Sequence, residues 1–85
     1  MKEFTDAEGR RWRATAREEP SVDYKGRYFL VIEPVDGAAS EALDVTEVRW
    51  NSERTAERTI STMSGFELRR RLRAALRRHR ELRAS

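Results

Sequence analysis

The chain has 85 residues, 39% of them charged, a formal net charge of +3 and no cysteine. That length holds one domain with a small core, and without cysteine neither a disulfide framework nor a thiolate zinc site can form. The longest apolar run, residues 28–32, is far short of the roughly 20 residues that span a bilayer, and no charged start leads into an apolar stretch as in a signal peptide, so a cytoplasmic protein with no membrane contact is expected.

The charge is unevenly placed. Residues 1–65 carry ten Lys or Arg against thirteen Asp or Glu, whereas residues 66–85 carry eight Arg against Glu67 and Glu81. Asymmetry of this kind points to nucleic acid or an acidic protein surface as partner. A bland cause competes with it, because arginine outnumbers lysine sixteen to two, as a GC-rich coding sequence produces by itself.

The first segment, FTDAEGRRWRATARE, has the pattern of a hairpin. Asp6 suits the first position of a turn and Gly9 a site needing positive φ. After the turn, Trp12, Ala14 and Ala16 alternate with Arg11, Arg13, Thr15 and Arg17, the period of a half-buried strand. EPSVDYKG breaks that pattern with Pro20 and Gly26 and is expected to be a loop carrying Tyr24.

RYFLVIEPV is the clearest strand, with Tyr28, Leu30 and Ile32 on one side, Phe29 and Val31 on the other, and Pro34 ending regular pairing. A strand apolar on both sides is usually central and covered on both. One helix covers one side only. The other is then left to a loop or a second protomer, which makes Tyr28, Phe29 and Val31 candidate interface residues and a homodimer an open possibility. DGAASEA follows as a flexible connection and LDVTEVRW as a further strand. In residues 51–63, Thr55, Thr59, Ile60 and Thr62 favour an extended partner for that strand over a helical turn.

The C-terminal helix is expected over residues 64–82, after a mainly β portion at 1–63, with 83–85 as a frayed tail. Ser64 and Glu67 have capping-box spacing, and Met63 and Leu68 that of a hydrophobic staple. At about 100° per residue, Leu68, Leu72, Ala75, Leu76, His79 and Leu82 form one apolar stripe. Beside it Arg69, Arg73, Arg77 and Arg80 stack in a ridge with Arg70 next to them, while Arg71 and Arg78 sit on the opposite flank. Within the helix only Glu67 with Arg71 and Arg77 with Glu81 are opposite charges at helical spacing, and Arg69, Arg73 and Arg77 repel one another at i, i+4.

Two arrangements absorb the ridge without a function: arginine stems lying along the apolar rim, or acids of the first 65 residues pairing with it. Otherwise it offers bidentate guanidinium donors to phosphates or to an acidic protein surface. Arg69, Arg70, Arg73, Arg77 and Arg80 are therefore the candidate nucleic-acid-binding residues. Base-specific contact is not expected, since the helix contains neither Asn nor Gln.

No enzyme is expected, and no catalytic residue, cofactor or metal is assigned. His79 is the only histidine and lacks the further ligands a metal needs, the serines have no histidine partner, and the four glycines are isolated. The composite expectation is an α+β domain: an antiparallel sheet of four to five strands with one long amphipathic C-terminal helix on a face. Its function is expected to be non-enzymatic binding through that helix, the alternative being a protein-interaction or homo-oligomeric assembly module.

Overall fold

A computed structural model describes residues 1–20 and 26–84. Among them β1 (Lys2–Thr5), β2 (Arg11–Glu18), β3 (Tyr28–Pro34) and β4 (Leu43–Trp50) form one antiparallel sheet in the order β1-β2-β3-β4, followed by α1 (Glu53–Thr62) and α2 (Gly65–Ala84). The class is α+β as expected, with a second helix added.

The β1–β2 hairpin forms where Asp6 and Gly9 place it. Gly9 takes φ +86°, and the Asp6 Oδ1 accepts the amides of Glu8 and Arg10 at 2.9 Å each, so the carboxylate stands in for a backbone acceptor in the turn. Along β2, Trp12 and Ala14 are buried and Arg11 and Arg17 exposed. The expected loop around Tyr24 lies outside the described residues, apart from its ends at Glu19, Pro20 and Gly26.

Strand β3 is interior, between β2 and β4. On its inner side, register aligns Ala14, Ile32 and Leu43 in one row and Ala16, Leu30 and Val45 in the next. Phe4 and Trp12 extend this surface, and Ile60 of α1 with Leu68, Leu72 and Ala75 of α2 close the core over it. Ile60 of α1 and Leu68, Leu72 and Ala75 of α2 thus belong to one core cluster with these strand residues.

The apolar residues on the outer side of β3 are buried as well. Val31 has no exposure and Phe29 only 7% within the single chain. Arg17 lies opposite Phe29 on β2, and Asp44 opposite Val31 on β4. Their ion pair, at 3.4 Å, therefore joins the two strands flanking β3. The Arg49 guanidinium sits 5.5 Å from the Phe29 ring centroid, and Arg13 meets Glu33 at 3.6 Å. Long arginine stems can shield apolar surface while their heads stay in water. Within the single chain Phe29 and Val31 are thus buried, whereas Tyr28, on the inner side, is half-buried.

Residues 51–63 are corrected from extended to helical. The Ser52 hydroxyl caps α1 by accepting the Thr55 amide at 3.2 Å. Ala56 and Ile60, one turn apart, are fully buried. Thr59 and Thr62 return their hydroxyls to the carbonyls of Thr55 and Thr59 at 2.8 and 2.9 Å. Tertiary burial of one helical face outweighs the weak β preference of threonine. At its far end α1 is tied to β1, where Lys2 Nζ donates to the Met63 carbonyl and the Met1 ammonium meets Glu57.

The link before β4, expected to be a flexible connection, contains a 3-10 turn at Ala39–Glu41, where the Glu41 carboxylate accepts the Ala38 amide at 3.2 Å. Among the described residues no helix is long and apolar enough to cross a membrane.

Candidate functional site

Helix α2 starts as its sequence requires. The Ser64 hydroxyl accepts the Glu67 amide at 3.1 Å, and Met63 packs against the core that contains Leu68. The Glu67 carboxylate, expected to return to the Ser64 amide, turns to arginine. It accepts Arg70 through two of its donors, with the Nη2 contact at 2.8 Å, and Arg71 at 3.3 Å. Hydrogen bonding from Arg70 first, and the nearby Arg71 charge with it, hold the Glu67 carboxyl below the usual carboxylate range.

The apolar stripe is spent on the core for its first half only. Leu68, Leu72 and Ala75 are buried and Leu76 half-buried, but His79 is exposed and Leu82 retains 75% exposure. The last turns of α2 therefore contribute little to the core.

Of the five arginines expected to bind phosphate, the structure separates one from the rest. Arg70 is held by Glu67. Arg69, Arg73, Arg77 and Arg80 make no ion pair with any described residue, and Arg77 does not pair with Glu81. On the opposite flank Arg71 has Glu67, and Arg78 reaches Glu47 of β4 at 3.0 Å. Glu47 stands in the irregular stretch of β4, where pairing skips from Val45 to Arg49. The acids of the sheet thus reach the far flank of α2 and leave the ridge alone.

Arg69 folds back over the start of the helix. Its Nη1 lies 3.0 Å from where a Cβ on Gly65 would stand, so this glycine leaves space for a guanidinium rather than satisfying a turn. Phe66, the one aromatic residue of this helix, is 68% exposed beside the ridge. At 100° per residue, positions 73, 77 and 80 return to within about 40° of position 66, and that spacing was the available signal.

Beside Arg69 and Arg73 opens a cleft of about 990 Å³, floored by Trp12, Leu43, Leu72 and Leu76 and flanked by His79. Its opposite wall is internally satisfied. Asp6 accepts the Trp12 Nε1 at 2.9 Å, which, together with the Arg10 and Glu8 amides, holds its carboxyl below the ordinary range. Glu41 is lowered likewise, by the Ala38 amide first and Arg10 second. Arg10 contacts Asp36 at 3.3 Å and Glu41 at 3.1 Å and lies 5.2 Å from the Trp12 ring centroid. Asp6 and Glu41 are thus engaged by donors of the chain itself.

Among the described residues no cluster of three or more His, Asp or Glu side chains is placed to hold a metal ion. Comparison with known protein families, with curated proteins and with solved structures finds no match for this chain.

Proposed function

We propose that the protein is a non-enzymatic binding module that holds the phosphate backbone of a nucleic acid along α2 through Arg69, Arg73, Arg77 and Arg80, with Arg70 beside them. One observation carries this reading: these four guanidinium groups lack a carboxylate partner among the described residues, while the arginines of the sheet and of the opposite helix flank have one. From Arg69 to Arg80 the row runs about 16 Å at 1.5 Å per residue, enough to follow several phosphates. Guanidinium forks match phosphate oxygens bidentately. Specificity for base sequence is not part of the proposal, since α2 has no Asn or Gln to read base edges. A cytoplasmic place of action goes with this reading.

Fluorescence anisotropy of labelled duplex and single-stranded oligonucleotides tests it. Neutralising about four phosphates gives a slope of log affinity on log salt near −3.6 for duplex, or roughly a 150-fold loss between about 50 and 200 mM salt. Arg69→Glu, Arg73→Glu and Arg77→Glu together are expected to abolish binding and leave the circular dichroism spectrum unchanged. A parent protein that binds neither oligonucleotide at low salt overturns the proposal. An acidic protein surface as the true partner would leave oligonucleotide unbound at low salt, the outcome that overturns the proposal.

A further inference from the structure

We infer that Phe66 is a base-stacking platform, so that the ridge takes single-stranded nucleic acid in preference to duplex; this rests on the phosphate-binding reading above. The other two phenylalanines, Phe4 and Phe29, are 8% and 7% exposed, whereas Phe66 is 68% exposed. Its position explains why it is not needed inside. Leu68, whose side faces the core, lies about 200° around the helix from Phe66. Phe66 therefore points where the arginines point.

The ring begins a line that the charges continue. Arg73, Arg77 and Arg80 follow at seven, eleven and fourteen residues, all within about 40° of the ring's direction, and Arg69 and Arg70 flank it one turn on. Arg70 is held in place by its two-pronged contact with Glu67. An apolar ring beside a row of unpartnered guanidinium groups matches a ligand that alternates flat apolar faces with phosphates. In single strands those faces are accessible to an aromatic side chain. In duplex they are stacked on one another, and a phenyl ring carries no donor or acceptor with which to read the base edges that remain. An anionic membrane surface also attracts arginine and phenylalanine, but an interfacial helix lays a whole apolar face into the lipid. The apolar face of α2 is already committed to the core at Leu68, Leu72 and Ala75.

The experiment compares the parent protein with Phe66→Ala and Phe66→Trp, by anisotropy with labelled oligothymidine and with duplex of equal length, and by co-sedimentation with phosphatidylserine–phosphatidylcholine vesicles. Phe66→Ala is expected to weaken oligothymidine binding roughly 5- to 150-fold, the effect of losing one stacked base, with duplex affinity unchanged. The salt slope for oligothymidine, about −2.8 for four phosphates on a single strand, stays the same because no phosphate contact is lost. Phe66→Trp restores the affinity. The melting temperature of all three proteins is similar, as for a side chain in water.

Equal oligothymidine binding by the parent and Phe66→Ala, or duplex bound as tightly as single strand, overturns the inference while the salt slope leaves the phosphate reading standing. Absence of all oligonucleotide binding removes both. A substitution that releases vesicles but not oligothymidine assigns the ring to a membrane surface instead.

Discussion

The outer side of the sheet and the ridge of α2 each carry four arginines, and the molecule treats them in opposite ways. On the sheet, Arg11, Arg13, Arg17 and Arg49 meet Glu3, Glu33, Asp44 and Glu19. On the helix, Arg69, Arg73, Arg77 and Arg80 meet no carboxylate among the described residues. The difference follows from where each element can find an acid. Strand register puts Glu33 directly opposite Arg13 and Asp44 on the far side of β3 from Arg17. In α2 the first acid is used by Arg70 and Arg71, and Glu81 follows Arg77 at i+4, the less favourable order for a helical pair. Counting charges does not distinguish a sealed surface from an available one; pairing does.

The largest effect that sharpens this contrast is at Val31. It is fully buried beneath the paired side of the sheet and lies opposite Asp44. Val31→Asp places an unpartnered carboxylate there, next to a second one, and is expected to cost about 3–5 kcal/mol. That is a large part of the roughly 5–15 kcal/mol that holds a domain together, so the urea midpoint should fall steeply or the fold be lost. A charge reversal on the ridge, Arg77→Glu, should stay within about 0.5 kcal/mol. If both variants unfold at the parent's urea concentration, Val31 does not lie on a sealed surface in solution.

The sequence made local features legible and distant ones not. The Asp6–Gly9 turn, the alternation in β2 and the Ser64 cap each depend on residues within a few positions, and each forms as expected. Residues 51–63 were misread because threonine favours strands on average, while Ser52, Glu53 and the Ala56–Ile60 spacing already carried a helical start and a buried face. Whether the ridge was free could not be read locally. The excess acids of the first 65 residues were able to pair either with the sheet or with α2, and the choice is made by strand register and by the contact of Glu47 with Arg78.

Acid separates the two regions by a smaller effect. Asp6, Glu41 and Glu67 all have folded-state carboxyl pKa values below the ordinary ones. A depressed folded value means stability that is fully present above the ordinary carboxylate pKa of about 4 and is lost as pH falls through the folded value. The melting temperature should therefore be level from neutral pH down to about 5 and decline below about 4. Asp6→Asn loses the acceptor of the Trp12 indole at every pH, so it should melt lower at neutral pH and show a shallower acid decline. Arginine side chains keep their charge across this range, and binding to oligonucleotide should not change between pH 8 and 5. An acid decline of the same depth in Asp6→Asn assigns the loss to other carboxylates.

The smallest effect is the most diagnostic, because its sign differs between the regions. Arg17→Ala removes the bridge to Asp44 across β3, and an exposed pair of this kind contributes about 0.2–1 kcal/mol, together with whatever the stem shields at Phe29. Arg17→Ala should destabilise. Arg73→Ala removes two like-charge contacts, with Arg69 and Arg77, each unfavourable by about 0.2–0.5 kcal/mol, and alanine has the higher helix propensity. Arg73→Ala should stabilise slightly, while reducing the oligonucleotide salt slope by about 0.7–0.9. Paired chemical denaturation curves check the signs. A ridge arginine whose removal strengthens the fold and weakens binding is kept at a cost to stability, which a merely solvated face does not require. Destabilisation by both substitutions to the same degree would mean that the ridge is held by its own molecule after all.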